Sequence, residues 1–130
     1  MTFKMKTAHD LVTAAKERIQ EIPLDLSEHY IRSVDVLIDV REVDEYQAGH
    51  IPGAVFIPRG MLEFKLSSTP ELNPRDLKIA VYCKTGGRSA LAALTLQEMG
   101  YINVRSIAGG FDAWVNMGRE IVKPEATSFD

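Results

Sequence analysis

The residues best suited to chemistry form one short run, Cys83-Lys84-Thr85-Gly86-Gly87-Arg88-Ser89. Cys83 is the only cysteine, so an internal disulfide is excluded, and the thiol is either a small core side chain or a nucleophile. Its neighbours argue for the nucleophile. Gly86 and Gly87 let the backbone fold tightly, so that successive N–H groups can converge on one point at the positive end of a helix, forming a nest for an anion. The thiolate is the reactive form, and a helix N-terminus with Lys84 and Arg88 beside it is expected to lower the Cys83 pKa from its usual value of about 8.5. A loop that stabilises the sulfur anion itself needs no histidine base. His9, His29 and His50 are all distant in sequence, and they are assigned structural or surface roles.

The elements that must hold this loop can be read from apolar periodicity. Ahead of Cys83, Lys78 to Tyr82 is a strand-sized β-branched and aromatic run; behind it, Ser89 to Met99 is apolar almost all round, which predicts a buried helix ended by Gly100. Val36-Leu37-Ile38 up to Asp39, Ala54 to Ile57 and Asn103 to Ile107 read as further strands, with another short run at Ile19 to Ile22. Thr7 with Asp10 three residues on can cap a first helix, whose Leu11, Ala14, Ala15 and Ile19 make an apolar face assigned to packing. Asp25 to Arg32 and Glu42 to Ala48 read as short helices, the latter stopped by Gly49 as a left-handed cap, and Pro52-Gly53 suits a type II turn. Strands alternating with helices at this spacing imply an α/β fold with right-handed crossovers and a mainly parallel sheet with helices on both faces.

Ligands of open α/β sheets bind beyond the carboxyl ends of the strands. Those ends carry Asp39-Val40-Arg41, Pro58-Arg59-Gly60, the cysteine loop and Ala108-Gly109-Gly110, which gathers Arg41, Arg59, Arg88, Lys84 and the thiol at one rim. Arg59 is a candidate for binding a doubly charged anion there. Asp39 and Arg41 are assigned to bracing neighbouring loops, and Tyr46, His50 and Trp114 to packing. The thiol is expected to be exposed at this rim, so that Cys83→Ser should spare the fold.

Composition sets outer bounds. A chain of 130 residues can bury roughly two thirds of its unfolded surface around one core. With 45% hydrophobic and 25% charged residues, disorder and a membrane span are both disfavoured. A net charge of −3 offers no general attraction to nucleic acid or acidic lipid. The apolar segment of a secretory signal is missing at the N-terminus, and the single thiol fits a reducing compartment; a cytoplasmic location is the expectation.

The cysteine loop resembles the active-site loop of single-domain rhodaneses. Leu37-Ile-Asp-Val-Arg-Glu followed by Tyr46-Gln-Ala-Gly-His-Ile-Pro-Gly-Ala is similar to that family's N-terminal signature, and Ala108-Gly-Gly-Phe-Asp-Ala-Trp114 to its C-terminal element. The resemblance spans about residues 18 to 118. It implies a doubly wound fold with a mainly parallel five-stranded sheet, one rhodanese-like domain over 1–130 with 1–17 as a helical extension, and a two-step sulfurtransferase reaction without metal or organic cofactor. By carry-over, Cys83 is the nucleophile and Lys84, Thr85, Gly86, Gly87 and Arg88 form the cradle of a Cys83 persulfide. The implied partners are a small sulfur-containing anion such as thiosulfate as donor, and cyanide, a thiol or a protein as acceptor. Arg88 is either a substrate ligand or a brace that binds backbone carbonyls of the loop.

Two other classes fit parts of this pattern. A phosphatase or arsenate reductase also sets cysteine and arginine at a helix N-terminus, but phosphatases of the related type place five residues between them, whereas Lys84 to Gly87 supplies four. A non-enzymatic relay or binding module shares the fold, and retention of Cys83 with an intact cradle weighs against the binding module.

Overall fold

The computed structural model describes residues 5–124. Its strands are β1 (Gln20–Ile22), β2 (Val36–Asp39), β3 (Val55–Phe56), β4 (Ile79–Tyr82) and β5 (Val104–Ile107), and its helices α1 (Ala8–Arg18), α2 (Leu24–Ile31), α3 (Val43–Ala48), α4 (Leu62–Ser68), α5 (Gly87–Glu98) and α6 (Gly110–Asn116). The strands form one sheet in the order β1-β5-β4-β2-β3, and every pairing is parallel. This is the expected five-stranded architecture. Strands β2 and β4 are buried along their whole length, as continuous apolar runs in a sheet covered on both sides must be.

Alternation along the strands sorts the core into two layers. Val36, Ile38, Ile79, Val81, Cys83 and Val104 face α1, α4 and α5, together with Ala15, Leu62, Leu66, Ala90, Ala93 and Leu96. Leu37, Ala80, Tyr82 and Ile107 face the other way, against Tyr30 and Ile31 of α2 and Phe111 and Trp114 of α6. Cys83 thus continues the stripe that points into the α5 layer.

Helix α1 begins at the expected capping box: Asp10 N–H donates to Thr7 Oγ1 at 3.1 Å, and Thr7 N–H to the Asp10 carboxylate at 2.9 Å. Its inward face differs from the one expected. Ala15 and Ile19 are buried and Val12 packs against the core, whereas Leu11 is 49% exposed and Ala14 points outward. Helix α4 was not anticipated; its buried residues Leu62 and Leu66 stand four apart, too few to mark a periodicity among charged neighbours. At Pro52-Gly53 the turn closes through Ala54 N–H to Ile51 O at 3.1 Å, with Gly53 at φ +84°. Gly49 ends α3 at φ +151° and ψ 143°, a positive φ, but not the left-handed helical cap expected. That conformation leads the chain straight into an isolated antiparallel bridge between His50 and Val122.

Candidate active site

Cys83 follows β4 directly and lies under its own loop, with 1% of its surface exposed. This corrects the expectation of a rim-exposed thiol. The cause is register: Cys83 inherits the inward direction of Ile79 and Val81, and the turn that starts α5 closes over it. Within the turn, Gly86 adopts φ +111° and directs its N–H at Cys83 Sγ across 3.1 Å. The sulfur's second polar neighbour is Ser89 Oγ at 3.5 Å. Of the successive inward-pointing amides expected from the double glycine, the Gly86 N–H, at the N-terminus of a twelve-residue helix, is the one that is hydrogen-bonded to the sulfur among the described residues.

The carbonyls of the loop are held by the segment after β5. Phe111 N–H donates to Cys83 O at 2.8 Å and Asp112 N–H to Lys84 O at 3.0 Å, so the first turn of α6 fixes the two peptides that open the cysteine loop. Gly110 makes this approach feasible. A Cβ there would lie 2.5 Å from Cys83 O and 2.7 Å from the Lys84 carbonyl carbon, and its φ of +61° independently favours glycine.

Charged side chains fix the loop from outside. Arg88 makes a two-pronged contact with Glu45 of α3, at 2.7 and 3.0 Å. Hydrogen bonds from Arg88 hold the Glu45 pKa down at about 2, against an opposing effect of burial, and the same contact raises that of Arg88. Lys84 reaches Asp112 at 2.7 Å. The two cations flanking the thiol in sequence are thus each tied to a carboxylate. Arg88 braces the loop, but through a carboxylate from α3 instead of the loop carbonyls considered above.

A second cluster closes the neighbouring strand end. Asp39, fully buried, receives Arg41 through Nε and Nη2 at 2.7 to 3.1 Å, and also the Tyr82 hydroxyl at 2.7 Å. Arg41 continues to Gly49 O at 2.7 Å, and Tyr82 accepts the Ile51 N–H at 3.1 Å. Burial alone would lower the Arg41 pKa, but the hydrogen bonds and charge of Asp39 outweigh it and leave it raised; burial and then the Asp39 charge push the Tyr82 phenol well above its usual range. These groups brace loops, as expected of Asp39 and Arg41.

The candidate residues separate accordingly. Cys83, Lys84, Thr85, Gly86, Gly87 and Arg88 form one turn, with Lys84 and Thr85 exposed, Gly86 buried and Gly87 and Arg88 half-buried. Arg59 is not brought to it. Its guanidinium pairs with Glu63 at 2.9 Å and Thr95 at 3.0 Å, and Thr95 lies two turns along α5 from Arg88. Trp114 is buried with its Nε1–H on Glu120 O at 2.7 Å, and Tyr46 stacks on His50 with ring centres 3.9 Å apart, which are packing roles. Sequence reasoning missed Glu45, Ser106, Gly110 and Asp112 as supports of the loop. For Glu45 the available signal was an acid in the first turn of α3; its partner lies 43 residues away.

A family model described as the rhodanese-like domain matches residues 22–117. Over 101 residues the chain is 35% identical to a sulfurtransferase of Allochromatium vinosum, a match that covers 77% of this chain and 91% of that protein. Over 98 residues it is 38% identical to YrkF of Bacillus subtilis, named as a candidate sulfur carrier; the match covers 74% of this chain but about half, 51%, of YrkF. A solved structure from Rhodopseudomonas palustris, of unknown function and suggested to be a tyrosine phosphatase, superposes with a TM-score of 0.78 at 33% identity, over 94% of this chain and 99% of that one. A match that starts at the last residue of β1 and ends one residue past α6 takes in the whole cysteine loop and the strands on either side of it, which makes this chain a member of the rhodanese-like domain family of sulfurtransferases and sulfur carriers.

Proposed function

We propose that the chain transfers sulfane sulfur through a persulfide on Cys83. The observation that carries this reading is the Gly86 N–H aimed at Cys83 Sγ across 3.1 Å, in a turn fixed on one side by Glu45 and on the other by α6. With thiosulfate as donor, the Cys83 thiolate attacks the outer sulfur. A Cys83 S–S bond forms, the donor S–S bond breaks, and sulfite departs with the electron pair. Loop amides then hold the terminal sulfur anion in place of water. Cyanide, a thiol or a protein acceptor attacks that sulfur and releases the Cys83 thiolate. Thr85, Gly86 and Gly87 supply the cradle, while Lys84 and Arg88 contribute through their pairings with Asp112 and Glu45. Neither a metal nor an organic cofactor enters this scheme. A single free thiol working by this cycle suits the reducing cytoplasm.

Phosphoryl chemistry is the second reading, prompted by the Rhodopseudomonas palustris relative. A tetrahedral dianion calls for a free guanidinium over the cysteine. Here Arg88 is engaged by both oxygens of Glu45, and the loop has four residues between cysteine and arginine.

Incubation with thiosulfate followed by intact-protein mass spectrometry separates the two readings. Sulfur transfer predicts one added sulfur on Cys83, cyanide-dependent thiocyanate release, and loss of that turnover by about a thousandfold or more in Cys83→Ser. Hydrolysis of an aryl phosphate with no gain of sulfur would reject it. Because the thiol is buried in an apolar layer, the serine variant is expected to be destabilised by about 1 kcal/mol, and its folding is checked by thermal melting.

A further inference from the structure

Next to the Cys83 sulfur, besides the Gly86 amide, lies a buried pair of hydroxyls that the transfer scheme does not use. Ser89 and Ser106 are both fully buried, and their oxygens are 2.8 Å apart. Ser106 belongs to β5. It pairs in register with Val81 and therefore shares the face of Val81 and Cys83, in a layer made mostly of aliphatic side chains such as Val104. A hydroxyl in that setting must have its proton accepted.

Among the described residues, Ser89 is the one side-chain hydrogen-bond partner of Ser106. Either oxygen could donate in this pair, but no other acceptor for the Ser106 hydroxyl is found among the described residues; we therefore assign the Ser106 proton to Ser89 Oγ, which leaves Ser89 to direct its own proton elsewhere. Two acceptors are in reach: the Gly86 carbonyl at 3.3 Å and Cys83 Sγ at 3.5 Å. With the sulfur protonated, the S–H points to Ser89 Oγ and the Ser89 proton rests on Gly86 O. With the sulfur ionised, the Ser89 hydroxyl can rotate and donate to it, while Ser106 continues to donate to Ser89. A donor that is itself accepting a hydrogen bond is polarised and donates more strongly.

We propose that Ser106 is a positioning residue: by fixing the proton of the Ser89 hydroxyl, it keeps a second donor available to the charged sulfur of Cys83, in addition to the Gly86 amide. The inference rests on the reading of Cys83 as the reactive thiol but not on the identity of the sulfur donor.

The test is the rate of Cys83 alkylation by iodoacetamide, followed by mass spectrometry from about pH 5 to about pH 10, where the thiolate fraction governs the rate. Ser106→Ala should alkylate about threefold more slowly below the midpoint of the profile and move that midpoint to higher pH. Ser106→Thr, which keeps the hydroxyl, should restore the wild-type profile. Ser89→Ala should show at least as large a shift, and Ser106→Ala should add nothing in that background, since the effect passes through Ser89. Superposable profiles for Ser106→Ala and wild type would overturn the proposal, whatever happens to the melting temperature. So would equal shifts in the alanine and threonine variants, or an unmoved profile in Ser89→Ala. Alkylation needs no sulfur donor, so a protein that takes no sulfur from thiosulfate would fail the functional reading while leaving this one open to a result.

Discussion

Two polar clusters sit side by side at the carboxyl ends of adjacent strands, where Asp39 of β2 pairs with Tyr82 of β4, and they are built on opposite principles. In the Asp39–Arg41–Tyr82 cluster the polar groups are densely bonded to one another inside the protein: carboxylate, guanidinium, phenol, Gly49 carbonyl and Ile51 amide close on one another. One residue beyond Tyr82, the Cys83 loop leaves its sulfur with one amide at 3.1 Å and one hydroxyl at 3.5 Å, and places its ion pairs at the periphery. A densely bonded cluster can hold loops in place, and a sparsely bonded one can accept an additional anionic atom. The comparison teaches that the same sheet edge supplies both, with the first keeping still the frame on which the second works.

The comparison can be broken by removing one side of it at a time. The largest effect on stability is expected from Asp39→Ala. It strands a buried guanidinium and a buried phenol, and should cost about 3–5 kcal/mol. Chemical denaturation measures this, and a cost as small as that of a surface substitution would show that the cluster does not brace the loops.

Gly110→Ala should come next, with the emphasis reversed. The new Cβ would meet backbone atoms of Cys83 and Lys84 at 2.5 and 2.7 Å, at a φ unfavourable to alanine. We expect about 2 kcal/mol of lost stability together with a loss of sulfur transfer of tenfold or more, on the order of what displacement of a reacting group costs. Transfer assays on the folded fraction would sharpen the comparison by showing that the loop's shape, and not only its residues, is required.

The smallest effect, about 1 kcal/mol, is expected from Glu45→Gln, which releases Arg88 at a half-exposed site. Its signature is pH dependence. The Glu45 pKa is about 2 in the folded chain against an ordinary 4.5, so its contribution is fully present above about pH 4.5 and is lost as the pH falls towards 2. Wild type should therefore lose stability over this acid range more steeply than Glu45→Gln, as read from melting temperatures, and parallel acid profiles would exclude the pairing.

The strands were legible because β2 and β4 are short continuous apolar runs between breakers, a pattern a helix of that length cannot use. The turn at Cys83 was legible because Gly86-Gly87 permits backbone conformations that other residues avoid, such as the φ of +111° at Gly86. What surrounds the sulfur was not. Arg88 finds Glu45 across 43 residues and Ser89 finds Ser106 across 17, and both pairings depend on which strands lie side by side and in what register. The burial of Cys83 was missed for a related reason: strand alternation carries it inward, yet its place just past the strand end suggested an open rim. Arg59 shows the converse, since its place at the rim was legible while Glu63 and Thr95, which turn it away from the sulfur, were not.

The central claim, that this turn receives a charged outer sulfur on Cys83, is tested most directly by a crystal structure of the protein after treatment with thiosulfate. The account predicts one extra atom bonded to Cys83 Sγ, lying within hydrogen-bond reach of the backbone N–H groups of residues 84 to 88, with Glu45 still holding Arg88. An unmodified thiol in crystals of thiosulfate-treated protein, or an added sulfur pointing away from those amides, would contradict it.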